Sequence, residues 1–178
     1  MIPLAALGAA LLLMAGELWR SRLNERALRA RGAREPADDV CRAMAWAYPA
    51  CFLGMAGEGL LTVVGQRFSL EFPVGQSFSV AFGVLIFIVA KLLKVWAIAS
   101  LGSRWSFRVL VEPRAPLVAT GPYAWIRHPN YVAVVGEMVG FALVVAAPIA
   151  GIASVAGFGV LLWMRIRVEE RALGIGGP

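Results

Sequence analysis

Residues 131–163 read YVAVVGEMVGFALVVAAPIAGIASVAGFGVLLW, an apolar stretch whose one charged side chain is Glu137. A helix needs about 20 apolar residues to cross a membrane, so the stretch is too long for one crossing. Pro148 and Gly151 interrupt it, because proline cannot continue a helix and glycine weakens one. The sequence therefore predicts two transmembrane helices joined as a hairpin.

The apolar character extends over the whole chain. Hydrophobic residues make up 60% of the 178 residues, charged residues make up 16%, and the mean hydropathy is +0.73. Ordinary soluble domains carry roughly 25% charged residues, and one water-soluble core could not bury so much apolar surface. The composition predicts an all-α integral membrane protein that forms a single domain, residues 1–178.

Three further apolar segments precede the hairpin, which gives five predicted spans. They cover Ile2–Trp19, about Ala43–Val64 and about Val74–Ser100. The first is interpreted as a retained helix, since no positively charged region precedes it as in a signal peptide. The predicted organisation is three N-terminal helices in 1–100, with a basic loop at 20–42, followed by a functional region at 101–178. That region comprises a loop at 101–130, the hairpin at 131–164 and a charged C-terminus at 165–178.

The positions of the basic residues predict the topology. If Lys91 and Lys94 lie at the inner end of the third span and extend toward the headgroups, all 17 basic residues except Arg67 fall on one side. The positive-inside rule then places the N-terminus outside and the C-terminus in the cytoplasm. Anionic lipid is a sufficient partner for such basic flanks, so the net charge of +6 does not indicate nucleic-acid binding.

The best candidate site surrounds the single histidine, in Arg127-His128-Pro129. Pro129 suits the first turn of a helix, which places Arg127 and His128 at a helix N-terminus that favours an anion. Arg127 offers a planar fork to a carboxylate, and His128 could orient a ligand or relay a proton. The structural alternative is a helix cap that contacts lipid headgroups.

Other candidates lie within or beside the spans. Glu137 and Glu58 are ionisable groups at membrane depth and therefore candidate functional groups; the alternative for each is a structural hydrogen bond. Arg165, four residues before Glu169, could pair with it on one helix face. An interfacial aromatic belt is predicted from Trp46, Trp96, Trp105, Trp125 and Trp163, with Tyr123 and Tyr131. One histidine and two unclustered cysteines exclude a multi-histidine metal site, so no metal is predicted.

Several motifs together resemble the isoprenylcysteine carboxyl methyltransferase family over roughly residues 90–173. They are Leu101-Gly102, Trp105-Ser106, Leu117-Val118, Gly121-Pro122-Tyr123, Arg127-His128-Pro129 with Tyr131, and Arg165 with Glu169-Glu170. The resemblance implies a membrane-embedded methyltransferase that uses S-adenosylmethionine. It also implies a cofactor pocket built from the Arg-His-Pro segment, the following hairpin and the double-glutamate end of the last helix.

The resemblance assigns the candidate residues to parts of the cofactor. Arg127 and the helix N-terminus beginning at Pro129 would hold the carboxylate, and His128 would bind the amino-acid end. The ammonium or ribose would be bound by Glu169 or Glu170, and the adenine would contact Tyr123, Tyr131 or Trp163; Arg165 completes the pocket. A carboxylate acceptor needs no base, whereas for a phenol or enol His128 or Glu137 is the candidate base.

Two positions depart from the family pattern. The family commonly has glycine where this chain has Ala133, and Glu137 is not part of the family signature. Both look more like a bacterial branch that resembles O-methyltransferases of alkylpyrones and alkylresorcinols, which implies a lipophilic acceptor and the bacterial inner membrane. Two alternatives stay open: a small proton-coupled transporter using Glu137 or Glu58, and a non-catalytic membrane scaffold without cofactor affinity.

Overall fold

The computed structural model describes residues 2–36, 40–66, 76–113 and 115–174, and these form an all-helical structure without β-strands. The five α-helices are α1 (Ile2–Ala30), α2 (Cys41–Gln66), α3 (Gln76–Leu101), α4 (Pro129–Val145) and α5 (Pro148–Leu173). Short 3-10 helices at Gly102–Arg104 and Gly121–Ala124 lie in the segment between α3 and α4. Apart from these two, the described residues between α3 and α4 contain no helix.

Four of the described helices are long and apolar enough to cross a membrane: α1, α2, α3 and α5. Helix α4 has 17 residues, or about 26 Å at 1.5 Å per residue, which is shorter than the roughly 30 Å hydrocarbon layer. The all-α membrane fold is confirmed at this level, while the fifth crossing stays a prediction. The predicted link residue Arg67 lies outside the described residues.

Helix α1 is longer than its apolar run suggested. The predicted end was Trp19, but the helix continues to Ala30 and includes much of the predicted basic loop. Its 29 residues span about 44 Å, more than the hydrocarbon layer requires. The arginine-rich half of α1 therefore continues past the membrane-sized segment and can support the loop that follows α3.

Small residues allow α3 and α4 to pack at close range. A Cβ atom on Gly140 would lie 2.6 Å from the backbone nitrogen of Phe87, and one on Gly83 would lie 2.8 Å from the Gly140 carbonyl. Neither distance leaves room for a methyl group, so glycine is required at both positions. The face of α4 that bears Gly140 therefore accepts a close neighbour, which fixes the position of α4 relative to α3.

The remaining core is aromatic and aliphatic. The rings of Phe52 and Phe141 lie 4.7 Å apart between α2 and α4, and buried Met55, Met138 and Phe158 surround them. Many large apolar side chains on the long helices instead face outward, for example Leu12 and Leu61. An outward apolar surface of this extent is typical of helices that contact lipid.

The turn between α4 and α5 consists of Ala146 and Ala147. Ala146 has a φ angle of 55°, in the left-handed region, and the Ala147 backbone N–H donates to the Ala142 carbonyl at 2.9 Å. The predicted break at 147–151 is therefore displaced toward the N-terminus, because Pro148 occupies the first turn of α5 instead of preventing it.

Candidate functional site

His128 is the N-cap residue of α4, and Pro129 is its first helical residue, as the sequence predicted. The His128 Nε2 atom lies 3.3 Å from Glu170 Oε1, and Nδ1 lies 3.8 Å from Glu169 Oε2. Its ring stacks on Tyr131 with the centroids 5.4 Å apart and an angle of 19° between the planes. The start of α4 therefore lies beside the end of α5, and both glutamates face the histidine.

Arg165 and Tyr131 connect the two helices above this point. The Tyr131 hydroxyl donates to Glu169 Oε2 at 2.6 Å and accepts a hydrogen bond from Arg165 Nε at 3.2 Å. Arg165 is only 5% exposed, and its Nη2 atom donates to the Phe107 carbonyl at 2.5 Å. These contacts tie the guanidinium to α4 and to the loop after α3, while the direct pairing of Arg165 with Glu169 stays a prediction.

His128, Tyr131, Arg165 and Glu169 line one cavity of about 170 Å³ at this end of the bundle. The lining is mixed, and Arg104 and Arg108 of the loop after α3 belong to it. The other polar lining residues include Ser106, Glu112, Tyr123, Arg127 and Asn130; the apolar lining includes Leu28, Leu101, Val109, Leu110, Leu117, Val118 and Leu173. We refer to this cavity as the cleft.

The cleft brings together most of the predicted site residues. Arg127 lines it but is 76% exposed, with its Nη1 atom 4.0 Å from Glu170 Oε1. Pro129 is buried, and neither Pro129 nor Glu170 is among the residues that line the cleft. Trp163 is not among the residues lining the cleft; it is 58% exposed, and the Arg167 guanidinium lies over its ring. The predicted contact of Trp163 with adenine therefore has no support in this geometry.

Tyr123 lines the cleft from the short 3-10 helix Gly121–Ala124. Burial and the nearby Glu169 carboxylate raise the pKa of the Tyr123 phenol above its ordinary value. The neutral phenol can contact a ligand through its ring or its hydroxyl.

The structure does not bring Glu137 into the cleft. Nine residues separate it from His128 along the chain, which is about 13 Å along the helix axis. Its carboxylate is completely buried and lies 3.0 Å from Lys91 Nζ and 3.3 Å from Lys94 Nζ. The hydroxyl of Tyr48 on α2 also donates a short hydrogen bond to it.

Glu17 on α1 completes this arrangement. Its two carboxylate oxygens lie 2.7 Å from Lys91 Nζ and 2.7 Å from Lys94 Nζ. We call Glu17, Lys91, Lys94 and Glu137 the four-charge cluster. Its formal charge is zero, and it joins α1, α3 and α4 about 10–15 Å from the cleft ends of α3 and α4. Glu17 Oε2 and Glu137 Oε1 meet Lys94 as ion pairs without hydrogen-bond geometry.

The cluster corrects the prediction that Lys91 and Lys94 extend toward the headgroups. Lys94 is 1% exposed and Lys91 14% exposed in their side chains. A buried ammonium is stable only when it is paired, and two carboxylates from neighbouring helices supply the partners. The sequence did contain a signal for this pairing. Glu17 is the one acidic residue in the first apolar segment, and the third apolar segment contains two basic residues, Lys91 and Lys94, at membrane depth.

Glu58, the other membrane-depth candidate, caps a helix. Its carboxylate accepts hydrogen bonds from the backbone N–H groups of Ile149 and Ala150, at 3.1 and 2.5 Å. These are free donors in the first turn of α5. The structural alternative stated for Glu58 therefore accounts for its position.

Sequence reasoning missed how the loop after α3 is attached to α1. Asn24 donates to the Trp105 carbonyl at 2.8 Å and to the Gly102 carbonyl at 3.2 Å. Ser21 Oγ accepts the Phe107 backbone N–H at 2.8 Å. Trp105 is 2% exposed, so it does not belong to the predicted interfacial belt.

Ion pairs fasten the same loop from the outside. Glu35 accepts from Arg29 at 2.7 Å and from Arg108 at 2.5 Å. Burial acts to raise the pKa of Glu35, but these hydrogen bonds outweigh it and bring the pKa below its ordinary value. The same contact with Glu35 raises the pKa of Arg108. An isolated antiparallel bridge between Arg34 and Val111 completes the attachment.

The fold and the cleft define a helical membrane protein with a mixed acidic and basic ligand-sized site at one end of its bundle. Comparison with known proteins specifies this further. The chain belongs to the isoprenylcysteine carboxyl methyltransferase family, whose sequence model matches residues 83–175. The resemblance drawn from the motifs is therefore confirmed, and family membership points to a membrane methyltransferase and does not favour the transport alternative.

A relative and a search of solved structures complete the comparison. The chain is 36% identical over 88 residues to YpbQ of Bacillus subtilis (strain 168), a protein described as uncharacterized. The match covers 49% of this chain and 52% of YpbQ, so the chain spans about half the length of that relative. No solved structure matches the chain.

Proposed function

We propose that the protein is an S-adenosylmethionine-dependent methyltransferase. It transfers a methyl group to a carboxyl or hydroxyl oxygen of a lipophilic acceptor at the boundary between membrane and cytoplasm. The observation that carries the proposal is the convergence of His128, Tyr131, Arg165 and Glu169 on one cleft inside the family-matched segment. Members of this family generally use S-adenosylmethionine.

The side chains of the cleft fit this cofactor in charge and polarity. The cofactor carries a carboxylate, an ammonium, ribose hydroxyls and an adenine ring. Arg127 and Arg165 offer planar donors for the carboxylate, and Glu169 offers an acceptor for the ammonium or the hydroxyls. Glu170 lies beside the cleft, with its Oε1 atom 3.3 Å from His128 Nε2, and is the second proposed acceptor. Asn130 Oδ1 is buried and has no hydrogen-bond partner among the described residues, so the cleft wall retains unused hydrogen-bonding capacity.

The reaction needs positioning more than it needs a nucleophilic side chain. The cofactor supplies an electrophilic methyl group: the acceptor oxygen bonds to the methyl carbon while the carbon–sulfur bond breaks, and its electron pair stays on sulfur. The chain's own residues would align the reactants, and the apolar lining that includes Leu101 and Val109 would limit the access of water. The same lining suits the hydrocarbon part of a lipophilic acceptor.

A hydroxyl acceptor must also lose a proton, and His128 is the better placed of the two candidate bases. One of its ring nitrogens can take the proton while Glu169 or Glu170 stabilises the charged imidazole. Glu137 lies about 13 Å along α4 from His128 and is engaged with two lysines. A carboxylate acceptor would leave His128 with a binding role only.

The membrane arrangement is part of the proposal. Helices α4 and α5 form a hairpin within a five-span bundle whose N-terminus lies outside and whose C-terminus lies in the cytoplasm. The support is the accumulation of arginines at the cleft end of the bundle. Residues 1–100 then form the supporting part of a single domain, and residues 101–178 form the catalytic part.

Calorimetric binding of S-adenosylhomocysteine to the detergent-purified protein tests the proposal. We expect saturable binding by the wild type and at least a tenfold higher Kd for Glu169→Gln, since that change removes a charged acceptor worth about 1.5–3 kcal/mol. Thr62→Ala is the matched control, because its hydroxyl bonds only within α2, to the Glu58 carbonyl. Absence of binding by folded wild-type protein would overturn the proposal.

A further inference from the structure

Part of the cleft is held by α1, which lies outside the family-matched segment of residues 83–175. Two of its polar side chains, Ser21 and Asn24, are buried, with exposures of 0% and 7%. A buried polar side chain is costly unless it forms hydrogen bonds. Ser21 and Asn24 both form hydrogen bonds with the backbone of the loop that follows α3.

Ser21 fixes one peptide unit of this loop from its N–H side. Its Oγ atom accepts the Phe107 N–H at 2.8 Å, and its own hydroxyl proton is donated to Glu25 Oε1 at 2.7 Å. Because the hydroxyl proton is already used, the oxygen lone pairs remain free to accept from the backbone. The contact therefore has a defined direction.

Asn24 fixes the same loop two residues earlier. Its Nδ2 group supplies both amide protons, one to the Trp105 carbonyl at 2.8 Å and one to the Gly102 carbonyl at 3.2 Å. Ser21 and Asn24 are three residues apart on α1, so they lie on one face of that helix. Together they hold the backbone of residues 102–107 against α1.

The carbonyl of Phe107 belongs to the next peptide unit and contacts Arg165, a residue that lines the cleft. The Phe107 carbonyl accepts from Arg165 Nη2 at 2.5 Å, and Arg165 Nε donates to the Tyr131 hydroxyl at 3.2 Å. The Tyr131 hydroxyl in turn donates to Glu169 at 2.6 Å. Two sets of hydrogen bonds, joined through the backbone of Phe107, thus connect Ser21 on α1 with Glu169 on α5.

We infer that Ser21 and Asn24 are positioning residues of the cleft: they fix the Phe107 carbonyl, and that carbonyl sets the orientation of the Arg165 guanidinium for the ligand. The inference rests on the proposed function, because it assigns Arg165 to cofactor binding. A purely structural role would lower stability alone, whereas a positioning role changes the affinity for the ligand through Arg165.

Calorimetry with S-adenosylhomocysteine, combined with thermal unfolding in the same detergent, separates these roles. Ser21→Ala and Asn24→Leu should each raise Kd about tenfold. This change corresponds to the loss of one neutral hydrogen bond whose contribution lies at the upper end of the usual range. Ser21→Thr keeps the hydroxyl and should restore Kd to within about threefold of wild type. Thr62→Ala should leave Kd unchanged.

A double-mutant cycle tests the route through Arg165 directly. In an Arg165→Lys background, Ser21→Ala should change Kd by less than about twofold, since the group that it positions is already altered. Two results would overturn the inference: lowered unfolding temperatures with an unchanged Kd, or a Ser21→Ala effect that is undiminished in the Arg165→Lys background. If wild-type protein fails to bind, the proposed function fails; if it binds and both α1 variants bind equally well, only this inference fails.

Discussion

The four-charge cluster makes a quantitative prediction about stability. Glu137→Gln keeps the shape of the side chain but leaves Lys91 and Lys94 with one carboxylate, Glu17, and therefore with one uncompensated positive charge. Breaking a buried ion pair from one side costs about 3–5 kcal/mol. Hydrogen bonds within membranes average only about 0.6 kcal/mol. Because Glu137→Gln leaves an uncompensated charge, we expect it to lower the unfolding free energy by the larger amount, about 3–5 kcal/mol.

A second substitution that removes the charge imbalance should restore most of the stability lost in Glu137→Gln. In Glu137→Gln combined with Lys94→Met, the remaining Lys91 and Glu17 are still a neutral pair 2.7 Å apart. Replacing a buried ion pair as a unit is often close to neutral, so the double variant should lie within about 1–2 kcal/mol of wild type. Its stability should exceed that of either single variant.

Reversible unfolding in mixed micelles, followed by far-ultraviolet circular dichroism, measures these differences. Glu35→Gln is the control, because its ion pairs are partly exposed and should contribute about 1 kcal/mol or less. A Glu137→Gln loss below about 1 kcal/mol would refute the reasoning. So would a double variant whose loss equals the sum of the two single losses.

Three other perturbations have defined outcomes. Glu58→Ala should lower the unfolding free energy by about 1 kcal/mol through loss of the α5 cap, and vesicle proton-flux assays should show no flux in wild type or variant. Gly140→Ala should destabilise the folded protein by about 1–3 kcal/mol, because the added Cβ would collide with the Phe87 backbone. The measurement is the yield of folded protein, which should fall. A yield equal to that of the wild type would contradict the close packing of α3 and α4. The pKa of Glu35 is lower in the folded protein than in the unfolded chain. The contact with Arg108 therefore stabilises the fold at pH values above the unfolded glutamate pKa of about 4.3. This stabilisation is lost as the pH falls through the lower pKa of the folded state. Unfolding curves between pH 6 and 3 should show the loss, and Glu35→Gln should reduce it.

The helices and the start of α4 could be predicted because both are local properties. Long apolar runs determine spanning helices, and Pro129 marks a first turn since its missing N–H has no partner to lose there. The association of His128 with Glu169 and Glu170 came instead from the order of family motifs. No local sequence pattern predicts a contact between residues about 40 positions apart, such as His128 and Glu170.

The tertiary contacts explain the failures. Glu17 and Lys91 are 74 residues apart in the chain, so their pairing depends on helix packing that apolar periodicity does not specify. The extension of α1 to Ala30 was missed because its second half is polar, and its stability comes from Asn24 and Ser21 bonding to the loop after α3. Such side-chain-to-backbone contacts leave no periodic signal in the sequence.

Transfer of a labelled methyl group is the direct test of the proposed methyltransferase activity. Purified protein in lipid vesicles would be incubated with S-adenosylmethionine carrying a tritiated methyl group and with long-chain phenols, pyrones or prenylated carboxylates, followed by organic extraction. We expect label in an extractable methyl ether or ester with wild-type protein and Thr62→Ala, and strong loss of label with Glu169→Gln. Protein that binds S-adenosylhomocysteine normally but labels none of these acceptors would contradict the assigned acceptor class, and equal labelling by wild type and Glu169→Gln would contradict the assignment of the cleft.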